Sequence, residues 1–449
     1  MHSLLEYLKN QFKNLSASVG FFGLGKSNLA LIDSLRDSSF SFTYRSDLPV
    51  SEDILKALPK GRLLVGSKAY DTPFEDIIFL SPSVRRDSAE FIRMRECGVI
   101  FSSDAEIFFI DRACTDFGVT GSDGKSTTAY LASLLLEGKC IGNFGVPFAS
   151  VAEGDENSML VAELSSFMLQ YITPPLLRSV ITNISENHLN WHRDYDEYKE
   201  AKYNILKQAK GIALPYELHK VPKSIGYEES VTLFSDTVSA KELSRLGCDS
   251  TVTVEDGMLS ISGRAVFDLN KMKRKERYNI KNLLAAVALT LGYANCEKIV
   301  SVAKEFTGLP HRAEVISEAH GIKFINSSID TTPTRTAVTL STLSSPIHII
   351  LGGRSKGLSL LPLINAAKDR VISFSIYGEA CCDFSLPLSE LKIPIFEFSD
   401  FLSAVKNAAS LAKSGETVLL SPAAVSYGEF RDFTERGDKF KEIINTYLK

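Results

Sequence analysis

No run of the sequence is long and apolar enough to span a bilayer. The first residues, Met1 to Phe22, lack the basic segment, apolar block and small-residue cleavage site of a secretory signal. A cytoplasmic protein that stays out of membranes is therefore expected. Charge of one sign is also scarce: 50 Lys and Arg stand against 54 Asp and Glu, and a net charge of -4 argues against an extended nucleic-acid surface while leaving room for a local basic pocket. The seven cysteines, Cys97, Cys114, Cys140, Cys248, Cys296, Cys381 and Cys382, are odd in number, scattered and never spaced C-x-x-C. Reduced thiols are expected from that pattern, and a zinc site is not. Internal repeats and low-complexity linkers are absent as well, which sets aside solenoids and flexible tethers.

What is present is an alternation of short β-branched runs with longer amphipathic stretches, the pattern of parallel sheets wrapped by helices. A chain of 449 residues holds about two to four domains. Three α/β domains are expected: a Rossmann-like N-terminal domain over 1–103, a central P-loop ATPase-like domain with a parallel sheet over 104–308, and a Rossmann-like C-terminal domain over 309–449. The first opens with a strand at Ser18 to Phe22 and a Gly23-Leu24-Gly25 turn into a helix, with strands near Leu63 to Val65 and Ile77 to Leu80. The second should hold strands at Phe117 to Thr120, Met159 to Glu163 and Ser179 to Asn183, a hairpin turning at Asp256-Gly257, and a helix from Asn279 to Leu291. The third has strand candidates at Lys323 to Asn326, Ile347 to Leu351, Val371 to Ile376 and Thr417 to Leu420.

The segment Thr120-Gly121-Ser122-Asp123-Gly124-Lys125-Ser126-Thr127 follows a predicted strand and precedes a helical run. Glycines there let backbone N–H groups curl around oxyanions, Lys125 supplies a point charge, the helix N-terminus adds its dipole, and Ser126 is placed to ligate Mg²⁺. Val119 stands where the common nucleotidase loop has its first glycine, so this loop is shorter. The plain alternative is a glycine turn with a surface lysine. The string GVTGSDGKSTT resembles the ATP-binding signature of the Mur ligases, and the similarity continues in register to the end of the chain.

Membership of that family implies ATP-dependent amide-bond formation in peptidoglycan precursor synthesis. A carboxylate is a poor electrophile; transfer of the γ-phosphoryl group of ATP to it makes an acyl phosphate that an amine can attack. The resemblance implies ATP and Mg²⁺ as cofactors and assigns ATP contacts to Gly121 through Thr127. It gives Glu163 and His188 to Mg²⁺ and makes Lys202 a carbamylated lysine supporting the second metal ion. Read alone, Glu163 has the plainer alternative of a paired structural acid and His188 that of a satisfied polar group, while Lys202 is only a helix-face lysine. Asn279 and Asn282, one helical turn apart, match the adenine-contacting element, though helix-start polar residues read the same way. Arg312, in Gly308-Leu309-Pro310-His311-Arg312, matches an arginine that reaches ATP phosphate, so the catalytic set is Lys125, His188, Lys202 and Arg312.

For the other substrates, Lys26, Ser27, Arg45 and Ser46 are the local candidates to face a uridine diphosphate, and Asn143, Ser165 and Ser166 match positions at the muramoyl group. Thr331, Lys356, Ser426 and Phe433 fall on the amino-acid site of the branch that adds D-glutamate to UDP-N-acetylmuramoyl-L-alanine, and that C-terminal domain moves within the family. NAD is not expected, because Asn28 stands where a dinucleotide fingerprint needs a third small residue. A monomer without nucleic-acid or membrane partners is expected. The chain departs from family motifs at four places: Asp123 for asparagine, Asn187 for aspartate, Met168 for glutamine, and Asn326-Ser327-Ser328-Ile329 for N-D-S-K. Asp330 or Arg335 is a candidate to compensate for the last. These departures keep two alternatives in view: a Mur-type ligase for a different amino acid, and a nucleotide-binding regulator that has lost turnover.

Overall fold

The short apolar runs become strands buried on both faces, as parallel strands covered by helices require. The computed structural model describes residues 17–50, 52–110, 116–151, 158–343, 346–355, 357–426 and 428–448. The chain divides into two units, Met1–Phe306 and Thr307–Lys449. The first carries two sheets and the second one, each of mixed α/β build.

The first sheet runs β1 (Ser18–Phe22), β2 (Ser41–Ser46), β3 (Gly61–Val65), β4 (Ile77–Leu80) and β5 (Ile100–Ser102), all parallel, in the spatial order β3-β2-β1-β4-β5. Val19, Phe21, Phe79 and Leu31 pack on one face, and Phe22, Ile78, Leu80 and Phe91 on the other. The expected substrate role of Arg45 is not met by its placement. Its relative exposure is 0%. Nε and Nη2 donate to the two carboxylate oxygens of Glu75, both at 2.8 Å, and Nη1 to the carbonyls of Ala69 (2.8 Å) and Asp71 (3.0 Å). A paired bidentate guanidinium is how a buried arginine is accommodated, and here it ties β2 to the segment entering β4. Ser46 is also turned inward, its hydroxyl donating to the Leu48 carbonyl at 2.7 Å.

The central sheet comprises β6 (Phe117–Thr120), β7 (Lys139–Gly142), β8 (Leu160–Glu163), β9 (Arg178–Ile181), β10 (Gly211–Pro215), β11 (Ser230–Ser235), β12 (Ser250–Glu255), β13 (Met258–Ile261) and β14 (Arg264–Asp268). Their order is β14-β13-β12-β11-β10-β9-β6-β8-β7, parallel except for the meander β12-β13-β14. Side chains alternate between two cores: Val161 and Val180 meet the helices Lys125–Leu136 and Arg277–Leu289, whereas Leu160, Ala162 and Ile181 meet Leu169, Ile205 and Leu206. The expected hairpin forms, with Asp256 at φ 50° and Gly257 at φ 75° between the paired Glu255 and Met258. Both central residues need positive φ, which explains the Asp-Gly pair.

The second unit holds β15 (Glu314–Ala319), β16 (Ile322–Asn326), β17 (Ile347–Gly352), β18 (Val371–Tyr377), β19 (Ile395–Phe398) and β20 (Thr417–Leu420), ordered β15-β16-β20-β17-β18-β19. Four of these correspond to the expected strands. β15 and β19 are edge strands, and their mixed exposure hides the apolar alternation that would announce them. Only β15 is antiparallel. Among the described residues no helix is long and apolar enough to cross a membrane.

Candidate active site

In the central sheet, β6 leads onward to β7 on one side while its neighbour β9 leads to β10 on the other, so connections leave these adjacent carboxyl ends in opposite directions. A crevice opens at such a point, and open α/β sheets bind ligands there. The chain leaves Thr120 through Gly121 (φ 151°) and Gly124 (φ 77°) into the helix Lys125–Leu136, whose Gly124 N-cap provides no side-chain hydrogen bond. Uncapped first-turn N–H groups are free to meet an anion. Neither glycine tolerates a Cβ, which would lie 1.9 Å from Thr182 Oγ1 at Gly121 and 2.1 Å from Asn282 Oδ1 at Gly124. β9 ends two residues earlier than the sequence suggests because Thr182 and Asn183 turn to brace this loop. Thr182 Oγ1 donates to the Asp123 carbonyl (2.6 Å), while Asn183 accepts from the N–H groups of Ser122 (2.9 Å, backbone carbonyl) and Asp123 (3.0 Å, Oδ1).

The loop's backbone is thus held from behind and the Asp123 side chain is exposed. Lys125 Nζ folds over the loop and donates to the carbonyls of Gly121 (3.0 Å) and Ser122 (2.8 Å). Ser126 and Thr127 are part-exposed in the helix's first turn. Asn282 abuts Gly124 in the loop. Asn279, in contrast, donates from Nδ2 to Glu276 Oε2 at 3.0 Å.

Glu163 ends β8 and is 1% exposed. Asn143 Nδ2 donates to its Oε1 at 2.6 Å, but Oε2 is buried with no hydrogen-bond partner. Such an oxygen calls for a cation. Lys202, on the helix Tyr195–Tyr203, is also 1% exposed; its Nζ donates to the Gly121 carbonyl at 2.7 Å and lies 4.7 Å over the Tyr198 ring. Burial, and then the neighbouring Lys125 charge, push its ammonium well below the usual lysine range. His188 is exposed, with φ 55° and its ring edge-on to Phe167 at 4.9 Å. Partial desolvation of the ring, then the Lys125 and Lys202 charges, hold its imidazole below the usual value. The Asn187 side chain accepts the His188 N–H at 2.9 Å. No group of three or more His, Cys, Asp and Glu converges among the described residues. The candidate donors to a hard cation are the Glu163 carboxylate, the His188 imidazole and the Ser126 hydroxyl.

Two expected contacts are used internally instead. Ser165 caps the helix Ser166–Leu169, its Oγ accepting from Met168 N at 3.3 Å, and the buried Ser166 Oγ shares a 3.0 Å hydrogen bond with His192 Nε2. His192 and its surroundings were missed by the sequence reading. Its Nδ1 is buried without a hydrogen-bond partner, 3.6 Å from Glu197 Oε2, and burial pushes its pKa down to about 4. Arg85, from the loop after β4, reaches Glu197 with both terminal nitrogens (3.0 and 3.1 Å), and Arg193 Nε adds a third contact at 2.8 Å. A histidine four residues beyond His188 was the available signal, but nothing in the sequence paired it with Arg85 or Glu197.

At the first sheet, Lys26 Nζ donates to the Gly145 carbonyl at 2.6 Å, joining the Gly23–Gly25 turn to the segment after β7. Ser27 neighbours the buried Asp104, whose carboxyl is raised to about 6 by burial. In the second unit, Arg312 is exposed between His311 (φ 60°) and Ala313 (φ 44°), left-handed positions that cost non-glycine residues strain and gather at functional sites. Thr331 and Phe433 are part-exposed and Ser426 is buried, all three in strand-end loops or at the start of the helix Phe433–Tyr447. Lys356 lies outside the described residues. Asp330 does not compensate for Ile329 at an open surface: it is buried, its Oδ2 accepting from Thr339 (2.7 Å) and Ser421 (2.8 Å). Arg335 Nη1 donates to the Ile329 carbonyl at 3.3 Å.

A switch-point strand feeding a glycine loop and an uncapped helix, with a buried carboxylate and lysine beneath, defines a nucleotide-using α/β protein of the phosphate-loop type. Residues 119–290 match the Mur ligase middle domain. The chain is 32% identical over 457 residues to the UDP-N-acetylmuramoylalanine--D-glutamate ligase of Clostridium novyi, covering 97% of this chain and 98% of that protein. It is 31% identical to the enzyme of the same name from Clostridium perfringens, over 97% and 98% of the two chains. The protein belongs to the Mur ligase family. The crystal structure of a UDP-N-acetylmuramate-alanine ligase from Thermotoga maritima shares the fold, with 17% identity, a TM-score of 0.50, and coverage of 96% of this chain and 100% of that one.

Glu197 yields a pH prediction. Burial raises its pKa, but hydrogen bonds from Arg85 and Arg193 outweigh that and hold it at about 2, against an ordinary 4.5. The folded state therefore keeps the charge to lower pH than the unfolded chain does. The stabilisation is complete above about pH 4.5 and is lost as the pH falls toward about 2. Glu197→Gln should lower the Tm at pH 7 and flatten its dependence on pH in that window; curves that stay parallel to those of the unaltered protein count against the cluster.

Proposed function

We propose that the protein ligates D-glutamate to UDP-N-acetylmuramoyl-L-alanine with ATP, through an acyl phosphate, giving ADP and phosphate in peptidoglycan precursor synthesis in the cytoplasm. The observation that carries this reading is identity of about a third along almost the whole length of D-glutamate ligases. We assign 1–103 to the uridine diphosphate end, 104–308 to ATP and the reacting carboxylate, and 309–449 to the amino acid.

The roles follow from chemistry. The loop Gly121–Thr127 and the N-terminus of helix Lys125–Leu136 cradle the ATP phosphates. Lys125 exchanges its two carbonyl contacts for phosphate oxygens, and Asn282 backs the loop. Arg312 is assigned to phosphate and Lys26 and Ser27 to the uridine diphosphate, while Thr331, Lys356, Ser426 and Phe433 are assigned to D-glutamate. Ser126, Glu163 and His188 would hold Mg²⁺, which supplies charge neutralisation at the phosphoryl group when bound. The unpartnered Glu163 Oε2 supports that fit. The substrate carboxylate oxygen attacks the γ-phosphorus and ADP leaves; the amine of D-glutamate then attacks the acyl carbon and phosphate leaves with that oxygen.

Two tests follow. ADP should be released only when UDP-N-acetylmuramoyl-L-alanine, D-glutamate, ATP and Mg²⁺ are all present. Release with another amino acid but not with D-glutamate refutes the assignment, and tight ATP binding without ligation indicates a regulator. For Lys202 we propose carbamylation: the neutral amine adds to CO₂, an N–C bond forms, a proton is lost, and a cation becomes an anion beside the metal donors. Burial against neutral oxygens supports it. Carbon-13 bicarbonate should give a carbamate resonance that Lys202→Ala abolishes, with turnover falling about 10- to 100-fold or more; full activity without the resonance counts against it.

A further inference from the structure

Arg436 stands in the first turn of the helix Phe433–Tyr447, yet its relative exposure is 0%. Nε donates to Ser328 Oγ at 3.0 Å. Nη2 donates to the carbonyls of Ser328 (2.9 Å) and Ala424 (3.2 Å), and Nη1 to those of Ala424 (3.2 Å) and Gly352 (3.3 Å) and to the Tyr377 hydroxyl (3.4 Å). Every acceptor is neutral, and among the described residues no carboxylate forms an ion pair with it. Asp330, buried on a neighbouring loop, is taken by Thr339 and Ser421, and Glu435 is taken by Arg431. An arginine buried this deeply ordinarily has a carboxylate partner, because the desolvated charge is otherwise uncompensated.

The acceptors identify where that charge acts. Ser328, Gly352 and Ala424 lie at or just beyond the carboxyl ends of β16, β17 and β20, the three adjacent central strands of this sheet. Thr331 and Ser426 sit on two of those loops, and Phe433 opens the helix that carries Arg436, its carbonyl accepting from Ser328 Oγ at 2.7 Å. The packing there is tight: a Cβ on Gly353 would lie 2.1 Å from the Val425 carbonyl and 3.2 Å from Arg436 Nη1.

We infer that Arg436 is a positioning residue for amino-acid selectivity: its uncompensated charge beneath the strand-end loops favours an acidic amino acid over its neutral amide without touching it. This rests on the D-glutamate reading of the site. The field and the loop geometry separate experimentally, because lysine keeps the charge and loses the fork, whereas glutamine loses the charge.

Steady-state kinetics of the full chain with D-glutamate and D-glutamine, as substrates or competing ligands, test this in Arg436→Gln and Arg436→Lys. Arg436→Gln should raise the KM for D-glutamate roughly tenfold or more and cut the preference over D-glutamine to match, with the KM values for ATP and the uridine diphosphate substrate changed less than about twofold. Arg436→Lys should restore the preference to within about threefold of the unaltered protein. An unchanged preference in Arg436→Gln, or a lysine variant no better than the glutamine variant, overturns the inference. If circular dichroism shows that Arg436→Gln does not fold, the preference of Arg436→Lys decides. Failure of both to fold makes Arg436 a packing residue and also overturns it. Turnover of the unaltered protein with D-glutamate tests the functional reading by itself; a preference there for a neutral amino acid defeats both.

Discussion

A carboxylate and a lysine, Glu163 and Lys202, are both buried at the carboxyl edge of the central sheet. Glu163 keeps one oxygen without a hydrogen-bond partner, and Lys202 spends its amine on the Gly121 carbonyl. An unpaired buried charge costs a folded chain several kcal/mol after relaxation, and burial accordingly pushes the Lys202 ammonium well below the usual lysine range. On the proposed function, a hard cation would partner the carboxylate, and carbamylation would turn the lysine into a further anionic donor. The loop above them is braced from behind by Thr182 and Asn183, so its opening toward the nucleotide is set before any ligand arrives.

The same edge is joined to the N-terminal sheet by salt bridges and hydrogen bonds. Arg85 clamps Glu197 on the helix that carries Lys202, Glu197 faces His192, and His192 holds the Ser166 hydroxyl. This network fixes the helix Tyr195–Tyr203 from its first turn, while Lys202 lies in its last. In the second unit the corresponding anchor is Arg436, which gathers three strand-end loops through their carbonyls. In both places the side chains that position the site lie beneath it.

That burial explains what the sequence could and could not reveal. The strand–loop–helix at Thr120–Lys125 was legible because glycine, lysine and helix start each have a local signature. The Asp256-Gly257 hairpin was legible for the same reason. The direction of a side chain is not local. Arg45 reads as a candidate for an anion until Glu75, thirty residues on, is seen to hold it from within. Ser166 reads as a substrate contact until His192 is found against it, and Asp330 reads as a surface replacement until two hydroxyls enclose it. Motif similarity gives a residue its place along the chain, but only the fold shows which way its side chain faces.

In the proposed reaction ATP activates the substrate carboxylate by phosphorylating it. This step is tested most directly with UDP-N-acetylmuramoyl-L-alanine carrying oxygen-18 in both carboxylate oxygens. Mass spectrometry of the products should find one oxygen-18 atom in the released phosphate and none in ADP. Phosphate without the label, formed while the amide product accumulates, would contradict the account.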